Sequence, residues 1–237
     1  MKFTPLALLL ISPTWLGAEE PVQKIPASFY AFDYVAGKET VNIQTDQAKF
    51  EEIRLSKANI IGPMPAVILN GAIRIFDKPV TADGKITHPV LSSVKVPAGV
   101  TRALVVLFPD ARKPAEPYRS LIINHELKDF PLGVYRLINL SPHPIRGSIS
   151  REFVEAKPGG VANLKPAGEP GAVVPMRFEY FDNERWNLLT ETRCAIRHDR
   201  RWLTCVYQDP ATGRMNIRSI PDRTTIRRAA APPKESP

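Results

Sequence analysis

Apolar residues in this chain come in short runs of about five to eight, rich in valine, isoleucine, phenylalanine and tyrosine. Glycine, proline, aspartate or asparagine bounds each run, a pattern that predicts strands. Up to residue 109 the runs fall at 28–35, 40–44, 50–55, 66–70, 72–76, 90–96 and 102–108. Ala72-Ile73-Arg74-Ile75-Phe76 alternates with period two, as a half-buried strand does. The stretch 104–108 is apolar throughout and predicts a central strand. Seven runs in about 80 residues suit an immunoglobulin-like sandwich, although the cysteine and tryptophan marks of antibody domains are absent. A second set lies at 118–124, 134–140, 146–150, 153–157, 161–164, 173–181, 186–196, 202–208 and 214–220. The expected fold is therefore all-β: two immunoglobulin-like β-sandwich modules of short, mainly antiparallel strands.

The punctuation between runs supports the same reading. The chain has 24 prolines, about twice the ordinary usage of roughly 5%. Proline breaks helices but is tolerated at turns and sheet edges. Residues 111–117, which include Arg112-Lys113-Pro114, are charged and lack apolar periodicity. They read as a linker between a module at 19–110 and a second at 118–221. After Pro221 core-forming residues run out, so 222–237 is expected to be a disordered basic tail. One turn element recurs as Pro97-Ala98-Gly99-Val100, Pro131-Leu132-Gly133-Val134 and Pro158-Gly159-Gly160-Val161. Proline sets the first corner and glycine relieves the exit. Their spacings of 34 and 27 residues are too unequal for a solenoid or propeller. The segment around Pro131-Leu132-Gly133-Val134-Tyr135 resembles the P-x-G-x-Y turn of many extracellular β-sandwich modules, where the tyrosine can bond back across a corner. The resemblance implies a sandwich and no activity.

Location and charge narrow the setting. Lys2 followed by the apolar run 6–11 and a small-residue exit at Ala18 has the form of a secretory signal peptide, 1–18. The run is far shorter than the roughly 18 residues needed to span a bilayer. A signal cleaved near Ala18 would place the mature protein in a secreted or periplasmic space, with no transmembrane segment expected in it. The formal charge is +8. From residue 177 on, eleven arginines and Lys234 face eight acids. Such a basic end suits an anionic surface or polymer, although interleaved acids more often mean a solvated face.

Cys194 and Cys205 stand equally far from Asp199-Arg200. A hairpin about that pair would oppose the two cysteines at about 4.5–5.5 Å between Cα atoms, within disulfide range. An exported protein meets the oxidising conditions such a bond needs. The hairpin would turn Thr192, Cys194, Ile196, Leu203, Cys205 and Tyr207 inward. Arg193, Arg197, Trp202, Arg214 and Arg218 would then share an outer, basic and aromatic face able to hold a polyanion. A solvated sheet face shielded by arginine stems would look the same.

Catalytic chemistry finds no purchase. His88, His125, His143 and His198 have no common ligand spacing, and no nucleophile elbow, phosphate loop or dinucleotide fingerprint occurs. No catalytic residue, metal ligand or cofactor is assigned. His125 falls in register with Leu121 and Ile123, as a partly buried histidine would. The reading is a non-catalytic binding or scaffold protein contacting an anionic envelope polymer or envelope protein, with no specific nucleic-acid signature. The alternatives are an extracytoplasmic hydrolase acting on a cell-surface glycan or polymer, and an architectural subunit of an envelope assembly.

Overall fold

The computed structural model describes residues 22–110, 112–209 and 212–224. The expected signal peptide at 1–18, and positions 225–237 of the expected tail, lie outside these residues. Every regular element described is a strand. The first ten are β1 (Lys24–Ala31), β2 (Thr40–Gln44), β3 (Phe50–Arg54), β4 (Ile61–Val67), β5 (Ala72–Phe76), β6 (Val80–Ala82), β7 (Lys85–Thr87), β8 (Val90–Lys95), β9 (Ala103–Pro109) and β10 (Tyr118–Asn124). β4 starts at Ile61 rather than Ala66 because Pro63 and Pro65 are accommodated on a sheet edge, where a missing donor is harmless. The small β6–β7 hairpin was not expected; every one of its residues is exposed.

Eight of these strands form two sheets, ordered β10-β9-β1-β4 and β3-β2-β5-β8. One face of each packs on the other. Ala27 and Phe29 of β1 and Val105 and Leu107 of β9 meet Val41, Ile43, Ile73 and Ile75 from the opposing sheet. Each buried valine, leucine, isoleucine or phenylalanine among them contributes roughly 1.5–3 kcal/mol relative to exposure.

The remaining strands are β11 (Tyr135–Asn139), β12 (Ile145–Ile149), β13 (Glu152–Ala156), β14 (Val161–Leu164), β15 (Val173–Asp182), β16 (Arg185–Ala195), β17 (Arg201–Gln208) and β18 (Met215–Asp222). Their sheets, β18-β17-β11-β14 and β13-β12-β15-β16, repeat the first two strand for strand if β6 and β7 are passed over. The register repeats as well. β1 runs parallel to β9 with Ala31 opposite Leu107, and β11 runs parallel to β17 with Asn139 opposite Val206. The next hydrogen bonds also correspond: Phe32 N–H donates to Leu107 O at 2.8 Å and Leu140 N–H to Val206 O at 2.7 Å.

The two halves stack through their β1- and β11-containing sheets. Leu104, Val106 and Phe108 leave β9 on the face opposite Val105, and pack with Leu203, Cys205 and Ile220. β9 is thus apolar on both faces because both are covered, which explains its unbroken hydrophobic run. The result is four layers of sheet with three apolar interfaces.

The topology moves the boundary between halves. β10 pairs with β9 from Tyr118↔Pro109 to Asn124↔Ala103, so 111–117 joins two strands of one sheet and is no linker. Charge and proline mark an exposed hairpin loop and a linker alike. The chain passes from the first half to the second after Asn124. Asp222, placed by the sequence in a disordered tail, closes β18 and is fully buried.

The expected hairpin about Asp199-Arg200 does not form. β16 pairs with β15 and β17 with β11 and β18, so residues 196–200 cross from one sheet to the other. Cys194 points into the core between those sheets, whereas Cys205 points into the interface between the halves. The two cysteines are free. Symmetry about a turn gave the wrong partner because the eleven-residue β16 pairs along nearly its whole length with the ten-residue β15.

Candidate functional site at the ends of the inner strands

β1, β9, β11 and β17 are the inner strands of the stack, and their two ends differ. At the starts of β9, β11 and β17 lies a buried charged lock. His125 Nε2 donates to Asp222 Oδ2 at 2.7 Å, and Arg201 Nε donates to the same oxygen at 2.6 Å; all three residues are inaccessible to solvent. Thr224 donates to Asp222 Oδ1 from both its backbone N–H and its hydroxyl. Arg201 also donates to Phe130 O and to His125 O, and Arg136 donates to Asn124 O, Asp129 O and Asn163 Oδ1. The Phe130 ring sits between the two guanidiniums, 4.5 Å from each. Two arginines therefore clamp the passage between halves through its carbonyls and its one aromatic ring.

Burial pushes the His125 imidazole down from its ordinary value, against the pull of Asp222. Burial would raise Asp222, but hydrogen bonds from His125 and Thr224 and the Arg201 charge hold it well below the usual carboxylate range. The ionised pair is Arg201–Asp222, and His125 is neutral with its N–H on Nε2. Among the described residues its Nδ1 has no hydrogen-bond partner. By the registers of β9–β10 and β17–β18, His125 and Asp222 occupy equivalent positions in the two halves, as do Arg102 and Arg201. Contact between equivalent positions is what a two-fold interface produces, here within one chain.

At the opposite end the four inner strands open on a cleft of about 730 Å³, a volume typical of small-ligand sites. Phe32 and Phe108 (ring centroids 5.2 Å apart) and Tyr207 (4.5 Å from Phe32) line it, with Leu140. The cation of Arg218 lies 4.5 Å above Phe32 and donates to Phe32 O; that of Arg119 lies 5.6 Å from Phe108. Three aspartates stand around them. Asp110 is taken by a bidentate Arg112 (2.9 and 3.2 Å), which holds its carboxyl below the ordinary value. Asp33 Oδ1 accepts from Lys57 Nζ and Tyr34 N–H, the lysine bond being the main cause of its lowered value. Asp209, equivalent in register to Asp110, caps the β17–β18 turn.

The five residues expected on one basic face are dispersed. Arg193 is exposed on β16 and donates to Val173 O; Arg197 is exposed beyond it and pairs with Asp199 at 2.9 Å. Trp202 turns inward and stacks on Tyr135, centroids 4.4 Å apart and planes within 2°. That stack, with the Tyr135 hydroxyl against the Cys194 thiol, replaces the corner bond expected of the P-x-G-x-Y tyrosine. Arg214 is exposed beside the β17–β18 turn, and Arg218 alone reaches the cleft. The face is not assembled because Arg193 and Arg197 leave a different sheet from Arg214 and Arg218.

Sequence reasoning missed Phe32, Asp33, Arg119 and Tyr207. An aromatic residue and an aspartate recur as Phe108-Pro109-Asp110 at the end of β9 and Tyr207-Gln208-Asp209 at the end of β17. That half-chain repeat was the available signal, and turn motifs at shorter spacings obscured it. Among the described residues no group of three or more His, Cys, Asp or Glu could hold a metal ion, and no helix is long and apolar enough to cross a membrane. No protein-family model matches the chain, and no curated protein does so either.

Proposed function

We propose that this chain is a non-catalytic binding protein of a secreted or periplasmic space, built of two sandwich modules. The inter-module cleft would receive an anionic group of its partner. The repeated strand order supports the two-module reading. "Immunoglobulin-like" then applies only to face-to-face, mainly antiparallel sheets, since β1 pairs with β4 and β9 rather than with β2. The signal-like start at 1–18 supports export. One observation carries the site: Arg119 projects beside the cleft and, among the described residues, no carboxylate or carbonyl is bonded to its side chain, next to the partly engaged Arg218. Guanidiniums held over aromatic rings in this way keep N–H donors free for a carboxylate, sulfate or phosphate.

The hydrolase alternative has less behind it. A glycosidase needs one carboxyl raised into the role of acid, and Asp33 and Asp110 are both lowered by their cationic partners. The test of the binding reading is retention on an immobilised anionic polymer across a salt gradient. Arg119→Ala combined with Arg218→Gln is expected to elute at clearly lower salt than the parent chain. Equal retention of the two, or retention indifferent to salt, would remove the cleft from consideration.

A further inference from the structure

We infer that the ligand of this cleft is an acidic sugar, a uronic-acid residue of a glycan; the inference rests on the cleft being the binding site. The reason lies in which polar atoms there lack a partner. Among the described residues the Arg119 side chain makes no hydrogen bond, and Arg218 spends only part of its five-donor fork on Phe32 O and Tyr30. Those are donors. Acceptors stand beside them: Asp33 Oδ2 accepts nothing, since both bonds to that carboxylate end on Oδ1, and Gln208 uses its Nε2 on Gly213 O and leaves Oε1 open. Among the described residues the Tyr207 hydroxyl, able to do either, makes no hydrogen bond. Between these groups lie Phe32, Phe108, Tyr207 and Leu140, an apolar floor.

A ligand that satisfies the set must bring an anion for the arginines, hydroxyl donors for Asp33 and Gln208, and an apolar face for the rings. A polyphosphate offers acceptors alone. It would leave Asp33 Oδ2 and Gln208 Oε1 desolvated beside a like charge, which is unfavourable. A neutral sugar leaves the arginines unanswered. A uronic acid carries a carboxylate, several hydroxyls and a ring face of C–H groups in one unit. Its carboxylate meets Arg119 and Arg218, its hydroxyls donate to Asp33 Oδ2 and Gln208 Oε1, and its ring lies against Tyr207 and Leu140, the two half-buried apolar residues of the cleft.

The experiment is calorimetric titration of the full chain with four probes of matched length: a trigalacturonate, its neutral galactose trimer, tripolyphosphate and triglutamate. Trigalacturonate is expected to bind most tightly, and Arg119→Gln and Asp33→Asn are each expected to weaken it about tenfold. Circular dichroism checks that both variants, changed at exposed positions, retain the fold. Tripolyphosphate binding as tightly as the uronate would overturn the sugar assignment and leave the anion-binding cleft standing. Tighter binding of triglutamate would assign the cleft to an acidic peptide instead, and the galactose trimer matching the uronate would remove the acidic requirement. Absence of binding by every probe would defeat both the ligand class and the cleft itself.

Discussion

His125 places a neutral imidazole in a site sealed from water, with Asp222 on one nitrogen and, among the described residues, no hydrogen-bond partner on the other. The charged groups around it are Asp222, Arg201 and Arg102, and burial with the two arginines outweighs the carboxylate. Below about pH 6.5 the unfolded chain takes up a proton at this residue that the folded chain refuses. Stability is therefore expected to be level above that pH and to fall as acid is added, by at most about 1.4 kcal/mol per pH unit from this group. His125→Gln keeps a donor for Asp222 without a titrating ring, so urea midpoints between about pH 7.5 and about pH 5.5 should flatten. Parallel slopes for variant and parent would refute the assignment. The cysteines give a second test at this scale. Burial raises Cys194 above its ordinary value and Cys205 to about 12, as expected of inert core thiols. Denatured, unreduced chain should titrate two thiols, while Cys205 in the native chain resists alkylation. A result of no thiols would restore the cross-link that sheet topology excludes. His125 was legible as a buried histidine from its strand register; its partner, 97 residues away, was not.

Strands were legible because their signals are local. Runs bounded by turn residues give the position of a strand, and period two gives its faces. Thr40–Gln44, Ala72–Phe76, Tyr118–Asn124 and Val161–Leu164 begin and end where the pattern said. Two of the Pro-x-Gly-Val turns place their glycine, Gly99 and Gly133, at φ +78° and +79°, the conformation that favours glycine; the third takes φ +74° one residue earlier, at Gly159. Partner choice was not legible, and Gly147 shows why it matters. It faces Phe178 across β12 and β15, and a Cβ at Gly147 would run into that ring. Gly147→Val is expected to cost about 1–3 kcal/mol by overpacking. Adding Phe178→Leu should return part of it, seen as coupling in a double-mutant cycle of denaturant midpoints. Strictly additive effects would mean that the ring does not occupy the space the glycine leaves.

At the scale of the whole molecule, two similar halves are joined at one end by a buried ion pair and part at the other into a cleft. Arg201→Met strips Asp222 of its counter-charge and Phe130 O and His125 O of their donor, so a loss of about 3–5 kcal/mol is expected. Arg201→Met with Asp222→Leu should recover a large part of that, because apolar groups of similar size replace a buried pair at little net cost. Denaturant titration of the three proteins reads both effects. If the single variant proves as stable as the parent, the lock does not hold the halves. The halves are not identical: only the first carries the exposed β6–β7 hairpin where the second makes a direct β15–β16 turn.

The sequence by itself determined an all-β chain and the place of nearly every strand, because those properties reside in neighbouring residues. Only the tertiary structure decided which strands share a sheet, that 111–117 lies within a hairpin, that the cysteines face different cores, and that Arg119, Asp33 and Tyr207 converge while Arg193 and Arg218 separate. A strand pattern specifies two faces and says nothing of what covers each. When both faces of the inner sheets are buried, as here, that choice is made by contacts between residues a hundred positions apart.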